Sequence, residues 1–165
     1  MKNNFKKPVL LLVIIFSLFF LVGNGWASTK MPSFSLEEVK SGRMVAGEEF
    51  SGKVLLISFF ATWCPPCVEE IPVLVGLQEK LGDAGFSVLA LSVDREGPAK
   101  VAQFVQEKKI NYPVLMADSK AVMDFGGVYG IPTAFLVNRA GNVVKRYTGY
   151  IEPAILEKDI NTLLR

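Results

Sequence analysis

Val54-Leu55-Leu56-Ile57-Ser58-Phe59-Phe60-Ala61-Thr62-Trp63-Cys64-Pro65-Pro66-Cys67 joins an almost unbroken apolar run to two cysteines separated by two prolines. The run follows Gly52-Lys53 and is rich in branched and aromatic side chains, which predicts a central strand buried on both faces. Beyond it, Val68, Ile71, Leu74, Val75 and Leu77 recur at helical spacing, predicting a helix over Pro65 to Leu81 that Gly82 and Gly85 close. Cys64 then stands at or just before the helix N-terminus. A thiolate there faces unpaired backbone N–H groups and the positive end of the helix dipole, so its pKa is expected to fall below the free value of about 8.5. Cys67 comes round to the same side, near enough to close a disulfide within one turn and buried enough to be inert toward outside reagents. Cys64 is therefore expected to attack and Cys67 to resolve. Pro65 suits the first helical position, but with Pro66 it removes two amide donors near the sulfur. The Cys67 N–H is left as the nearest donor, and the pKa depression should be milder than with one proline.

Two plainer readings compete. A static disulfide closing so short a loop removes little unfolded-chain entropy, which makes it a weak staple. Structural zinc needs four ligands, and two thiolates without histidine fall short of that.

Further along, Ser87 to Val93 repeats the continuous apolar pattern, and strand, helix, strand forms a parallel crossover unit. Upstream, Phe34 to Val39 and Met44 to Val45 flank Ser41-Gly42-Arg43 and read as a small hairpin. Downstream, a helix is predicted from Pro98 to about Lys109 with Val101, Phe104 and Val105 inward, then a short strand at Tyr112 to Met116. Ser119 can cap a third helix to Phe125, and Gly126-Gly127 interrupts the chain before Ile131-Pro132 introduces a strand at Thr133 to Val137. Asn138 to Asn142 turns into an antiparallel strand, Val143 to Tyr147. Pro153 starts a last helix whose Ile155, Leu156, Ile160, Leu163 and Leu164 form one apolar face. The alternation predicts an α/β class with a mixed central sheet flanked by helices. No internal repeat or low-complexity tract interrupts it.

At the start of the chain, Lys2, Lys6 and Lys7 precede an apolar run from Val9 to Val22 broken only by Ser17. As a helix this run reaches about 21 Å, short of the hydrocarbon core of about 30 Å. Gly25-Trp26-Ala27 offers small residues around a cut before Ser28, while extension through Gly23 and Trp26 would make an anchor instead. Residues 1–27 are therefore expected to be a signal peptide or N-terminal membrane anchor, and 28–165 an extracytoplasmic domain touching the membrane only through that segment.

The chain has 165 residues, half of them apolar and 21% charged, enough for one packed domain. Of its 18 basic and 16 acidic side chains, three lysines lie in that first segment, leaving 15 against 16. Such a balance argues against nucleic acid as a partner. The absence of histidine removes Ser-His-Asp, Cys-His and His-metal chemistry together.

Phe59-Phe60-Ala61-Thr62-Trp63-Cys64-Pro65-Pro66-Cys67 with Glu70 and Pro72, then Tyr129-Gly130-Ile131-Pro132-Thr133, Gly141-Asn142 and Gly149, resemble the thioredoxin superfamily, and within it the exported TlpA/ResA-like thiol-disulfide oxidoreductases. The resemblance covers nearly everything after the first segment. It implies a thioredoxin-like fold, with the hairpin near Gly42 as an N-terminal addition and the helix and strand between Val93 and Ala117 as a central insertion. It implies a cis Ile131-Pro132 peptide facing the cysteine pair, the Ile131 backbone pairing with the substrate peptide. Cis is accessible at X-Pro bonds, and a proline starting a strand removes no needed ladder bond. Trp63, Pro65 and Pro66 are expected to flank the disulfide as a substrate platform, although packing of an amphipathic aromatic would explain Trp63 equally well. Pro72 is scaffold and must kink its helix or free a carbonyl.

Glu70 lies three residues after Cys67, on the same helical side, where a partly buried carboxyl can exchange a proton with it. Members similar to ResA place a functional glutamate there. Glu69 reads as an ordinary first-turn acid. One departure stands out: Ser58 occupies the place of the buried aspartate of cytosolic thioredoxins, and proton transfer cannot run through it as through a carboxylate.

The implied activity is reduction of protein disulfides, with the client held against Ile131-Pro132 and no cofactor needed. The implied partners are client disulfides, with apocytochrome c as the family's leading example, and a membrane thiol electron donor of the DsbD or CcdA kind; a monomer is expected. The reverse, oxidation of client thiols, stays open because sequence does not report a potential. A peroxiredoxin-like peroxidase would want a threonine three residues before its cysteine, and Thr62 is two before Cys64. A copper-binding module of the Sco kind lacks its wider cysteine spacing and its histidine.

Overall fold

The computed structural model describes residues 29–165; the expected signal or anchor at 1–27 lies outside the described residues. A six-stranded sheet runs in the order β1 (Thr29–Lys30), β8 (Asn142–Thr148), β7 (Thr133–Val137), β4 (Val54–Phe60), β5 (Phe86–Ser92) and β6 (Val114–Met116). β4, β5 and β6 are parallel, and β7, β8 and β1 continue antiparallel. The helices are α1 (Pro65–Leu81), α2 (Pro98–Glu107), α3 (Ser119–Asp124) and α4 (Pro153–Leu164). A hairpin of β2 (Ser35–Glu37) and β3 (Met44–Ala46) forms a separate two-stranded sheet. The predicted mixed sheet with N-terminal hairpin and central insertion is present.

Every residue of β4 and β5 is buried, as their unbroken hydrophobicity requires. Strand alternation divides them between two cores. Val54, Leu56 and Phe60 pack with Ile71, Leu74 and Leu77 of α1, Val101 and Val105 of α2, and Leu156 and Ile160 of α4. Leu55, Ile57 and Phe59 face the other way, toward Leu36, Val45, Phe125 and Phe135. The edge of β6 is occupied: Val39 N–H donates to the Val114 carbonyl at 3.0 Å, and Glu38 bridges Leu115 antiparallel.

Several boundaries differ from expectation. The cap of α3 is Asp118, whose carboxylate accepts the Ala121 N–H at 2.6 Å, and Ser119 becomes the first helical residue. A carboxylate there satisfies a free amide and opposes the helix dipole, so it outcompetes the serine. The strand expected from Tyr112 begins at Val114, because Pro113 has no N–H to give the ladder. Ile155 is half exposed while Leu156 and Ile160 are buried, so the apolar stripe of α4 starts one residue later. The helix α1 runs unbroken through Pro72, whose ring is exposed; the Val68 carbonyl is the group that loses its helical donor. The edge strand β1 and a 3-10 turn at Gly47–Phe50 had no counterpart in the sequence pattern.

Candidate active site

The C-terminal end of β4 passes through Ala61, Thr62 and Trp63 into α1, and Cys64 is the N-cap residue with extended backbone, φ −95° and ψ 106°. Its carbonyl accepts the Val68 N–H at 3.0 Å, opening the helix, and its Sγ accepts the Cys67 N–H at 3.3 Å. With Pro65 and Pro66 lacking amide hydrogens, that donor is the one expected from sequence. Cys64 and Cys67 form a disulfide with Cα atoms 5.3 Å apart.

Both sulfurs belong to buried residues, 4% and 3% exposed, inside a collar of exposed Trp63, Pro65 and Pro66. Trp63 is 65% exposed. Just before the neighbouring strand β7, whose Thr133 pairs with Phe59 near the end of β4, the Ile131-Pro132 peptide is cis. Thr133 Oγ1 donates to the Gly130 carbonyl at 2.7 Å, and the Gly149 N–H donates to the Pro132 carbonyl at 2.8 Å. Ile131 is half-buried and packs against both cores, including the one that holds the two cysteines.

Glu70 is 5% exposed and accepts the Ile151 N–H at 2.7 Å, tying α1 to the loop after β8. Burial pushes its carboxyl above the ordinary glutamate value, and the Ile151 bond offsets only part of that. Glu69 is exposed but is the fifth residue of a helix with no acid in its first turn, so it is not the first-turn acid expected from sequence. Because the folded state of Glu70 holds its proton to higher pH than the unfolded chain does, this group's contribution to stability declines as pH rises from the ordinary value of 4.5 through the raised one, then levels off. Glu70→Gln keeps an oxygen for Ile151 and cannot ionise. Urea unfolding from pH 4 upward should show this decline in the wild type and its absence in the variant.

Two buried polar residues were not singled out from the sequence. Asp94, 7% exposed, accepts the Thr62 N–H at 3.0 Å, the Thr62 hydroxyl at 2.6 Å and the Ser92 hydroxyl at 2.7 Å. It pins the segment entering the cysteine pair to the end of β5. The signal was its place just past the carboxyl end of a buried strand, where open α/β sheets gather their sites. Tyr112, 4% exposed, comes from the connection between α2 and β6; burial first and the Glu70 charge second hold its phenol protonated well above the usual tyrosine range.

This chain matches the Redoxin family model over residues 27–164. The chain belongs to the Redoxin family. It is similar to a crystal structure of a thiol:disulfide interchange protein, a thioredoxin family protein, from Chlorobium tepidum TLS: 34% identity, TM-score 0.76, covering 84% of this chain and 97% of that one. The thiol-disulfide oxidoreductase ResA of Bacillus subtilis (strain 168) is 28% identical over 98% of this chain and 94% of its own length. ResA of Bacillus cereus (strain ATCC 10987 / NRS 248) is 27% identical over 90% and 91%. With its cysteine pair at the start of α1, this Redoxin family member is a thiol-disulfide oxidoreductase of the thioredoxin superfamily, similar to ResA.

Proposed function

We propose that the domain works outside the cytoplasm as a protein-disulfide reductase. The observation carrying this reading is Cys64 at the N-cap of α1 with the Cys67 N–H on its sulfur. When the pair is reduced, that amide and the helix dipole stabilise a Cys64 thiolate. The thiolate attacks one sulfur of a client disulfide held against Ile131-Pro132; a Cys64–client bond forms and the electron pair leaves on the second client sulfur, which takes a proton. Cys67 then attacks Cys64, releasing the first client sulfur and closing the internal disulfide. Trp63, Pro65 and Pro66 are the exposed surface on which the client rests, and Glu70 takes or returns the Cys67 proton.

Export is supported by the basic and apolar pattern of residues 1–27, and among the described residues no helix is long and apolar enough to cross a membrane. In an oxidising compartment the pair needs an outside supply of electrons, for which a membrane dithiol carrier of the DsbD or CcdA kind is the fitting donor. Apocytochrome c, with its cysteine pair, is the client class this reading favours. The test is a Cys67→Ala form expressed in the native host, followed by identification of whatever stays covalently bound to Cys64. Adducts with apocytochrome and with a membrane dithiol protein are the expected result. No adduct, together with no acceleration of insulin reduction by dithiothreitol, would overturn it.

A further inference from the structure

Behind the disulfide, on the face of the sheet that carries α1, lies a small cavity of about 10 Å3 lined by Ser58, Phe60, Cys67, Ala90 and Tyr112 together with two aliphatic side chains of α1. That is room for about one water molecule, and a water so placed needs two to four polar partners. Ser58, Cys67 and Tyr112 supply them, the rest of the lining being hydrocarbon. Ser58 and Ala90 are register partners on β4 and β5, and the Ala90 N–H donates to the Pro113 carbonyl at 3.0 Å, which fixes Tyr112 beside them. The inserted segment thus brings Tyr112 to the same cavity that Cys67 lines.

The charges facing Tyr112 come from two sides. Glu70, one turn after Cys67 on α1 and outside the cavity lining, acts on Tyr112 through its charge. On the outer side, Tyr112 also lines an open groove with Glu38, Lys40, Arg43, Glu49 and Lys53, where water screens them.

We propose that Tyr112 and Ser58 are positioning residues that hold a water against Cys67 Sγ, the first step of the proton route of the resolving half-reaction. In that step the Cys67 thiol passes its proton into this route and its sulfur bonds to Cys64. The Cys64–client bond breaks, the electron pair leaves on the client sulfur, and that sulfur is protonated. In the recharging step a reducing thiolate attacks Cys64, Cys67 leaves with the electron pair, and the route returns its proton. The inference rests on disulfide exchange by Cys64 and Cys67, and on neither the client nor the direction proposed above.

The experiment follows the Cys67 Cβ chemical shift against pH in full-length, reduced Cys64→Ser protein, alone and combined with Tyr112→Phe or Ser58→Ala. Losing a hydrogen-bond donor to a thiolate should raise the Cys67 pKa by about one unit in Tyr112→Phe, with a shift of the same sign in Ser58→Ala. With Cys64 restored, each variant should release a thiol from a preformed Cys64 mixed disulfide more slowly at pH 7, about tenfold for Tyr112→Phe, while the rate at which Cys64 first attacks stays unchanged. An unshifted Cys67 titration in folded Ser58→Ala and Tyr112→Phe proteins overturns the proposal, as does equal slowing of attack and release. Should Tyr112→Phe not fold, Ser58→Ala decides alone. A wild type that exchanges no disulfides would sink the oxidoreductase reading, and the Cys67 titration would still score the proton route separately.

Discussion

Replacing Cys64 by serine should lower the rate of disulfide reduction about a thousandfold or more, to the level of the small thiol alone, because no other sulfur is placed to begin the exchange. The Cys67→Ser protein should behave differently: the first attack proceeds at close to the wild-type rate and the protein accumulates as a mixed disulfide. The asymmetry follows from position. Cys64 is the N-cap residue and receives the Cys67 N–H, whereas Cys67 is the third residue inside α1. A hydrogen bond from one amide and the field of the first helical turn together correspond to about one to two pH units of acidification. Alkylation of the reduced protein against pH should therefore give a Cys64 titration clearly below about 8.5. Two prolines leave a single amide to do this, so restoring a donor with Pro66→Ala should lower the value further. Equal loss of the first attack in both cysteine variants would contradict the assignment of roles.

The largest effect on stability is expected from Phe59→Ala. Phe59 is fully buried in the middle strand, and its ring meets Phe125 and Phe135 edge-on with centroids 5.4 and 6.0 Å apart. Truncation removes the aromatic contacts and leaves a cavity between β4 and the segment after α3, which costs about 3–5 kcal/mol. Against a total of about 5–15 kcal/mol this lowers the melting temperature by about 10–20 °C. Denaturant unfolding followed by tryptophan fluorescence checks it. Phe59→Leu, which keeps most of the volume, should lose clearly less. A loss for Phe59→Ala no larger than that for Phe59→Leu would mean the aromatic cluster does not hold this face together.

The parts of the fold that sequence reveals are those where one pattern serves both local and global demands. The continuous runs in β4 and β5 and the helical spacing between them leave few alternatives, and α1 begins and ends where proline and glycine place it. Where two residues can do the same job, the pattern does not choose. Asp118 and Ser119 are both good caps, and the choice rests on which one meets the Ala121 N–H. The edge strand β1 is two residues held by backbone pairing with Asn142 and Val143, so no side-chain periodicity marks it. The same division holds at the site. Cys64, Cys67 and Glu70 share one helix, and spacing alone relates them. Asp94 reaches Thr62 across a separation of 32 residues, and Tyr112 arrives from the inserted segment, so only the folded chain brings them to the cysteines.

The hairpin's grip on β6 carries a consequence for the company this domain keeps. A bare outer strand presents unpaired backbone to which any extended polypeptide can add. With Glu38 and Val39 already seated along Val114 and Leu115, that flank is closed from within. An extended chain therefore finds no free backbone along Val114 and Leu115.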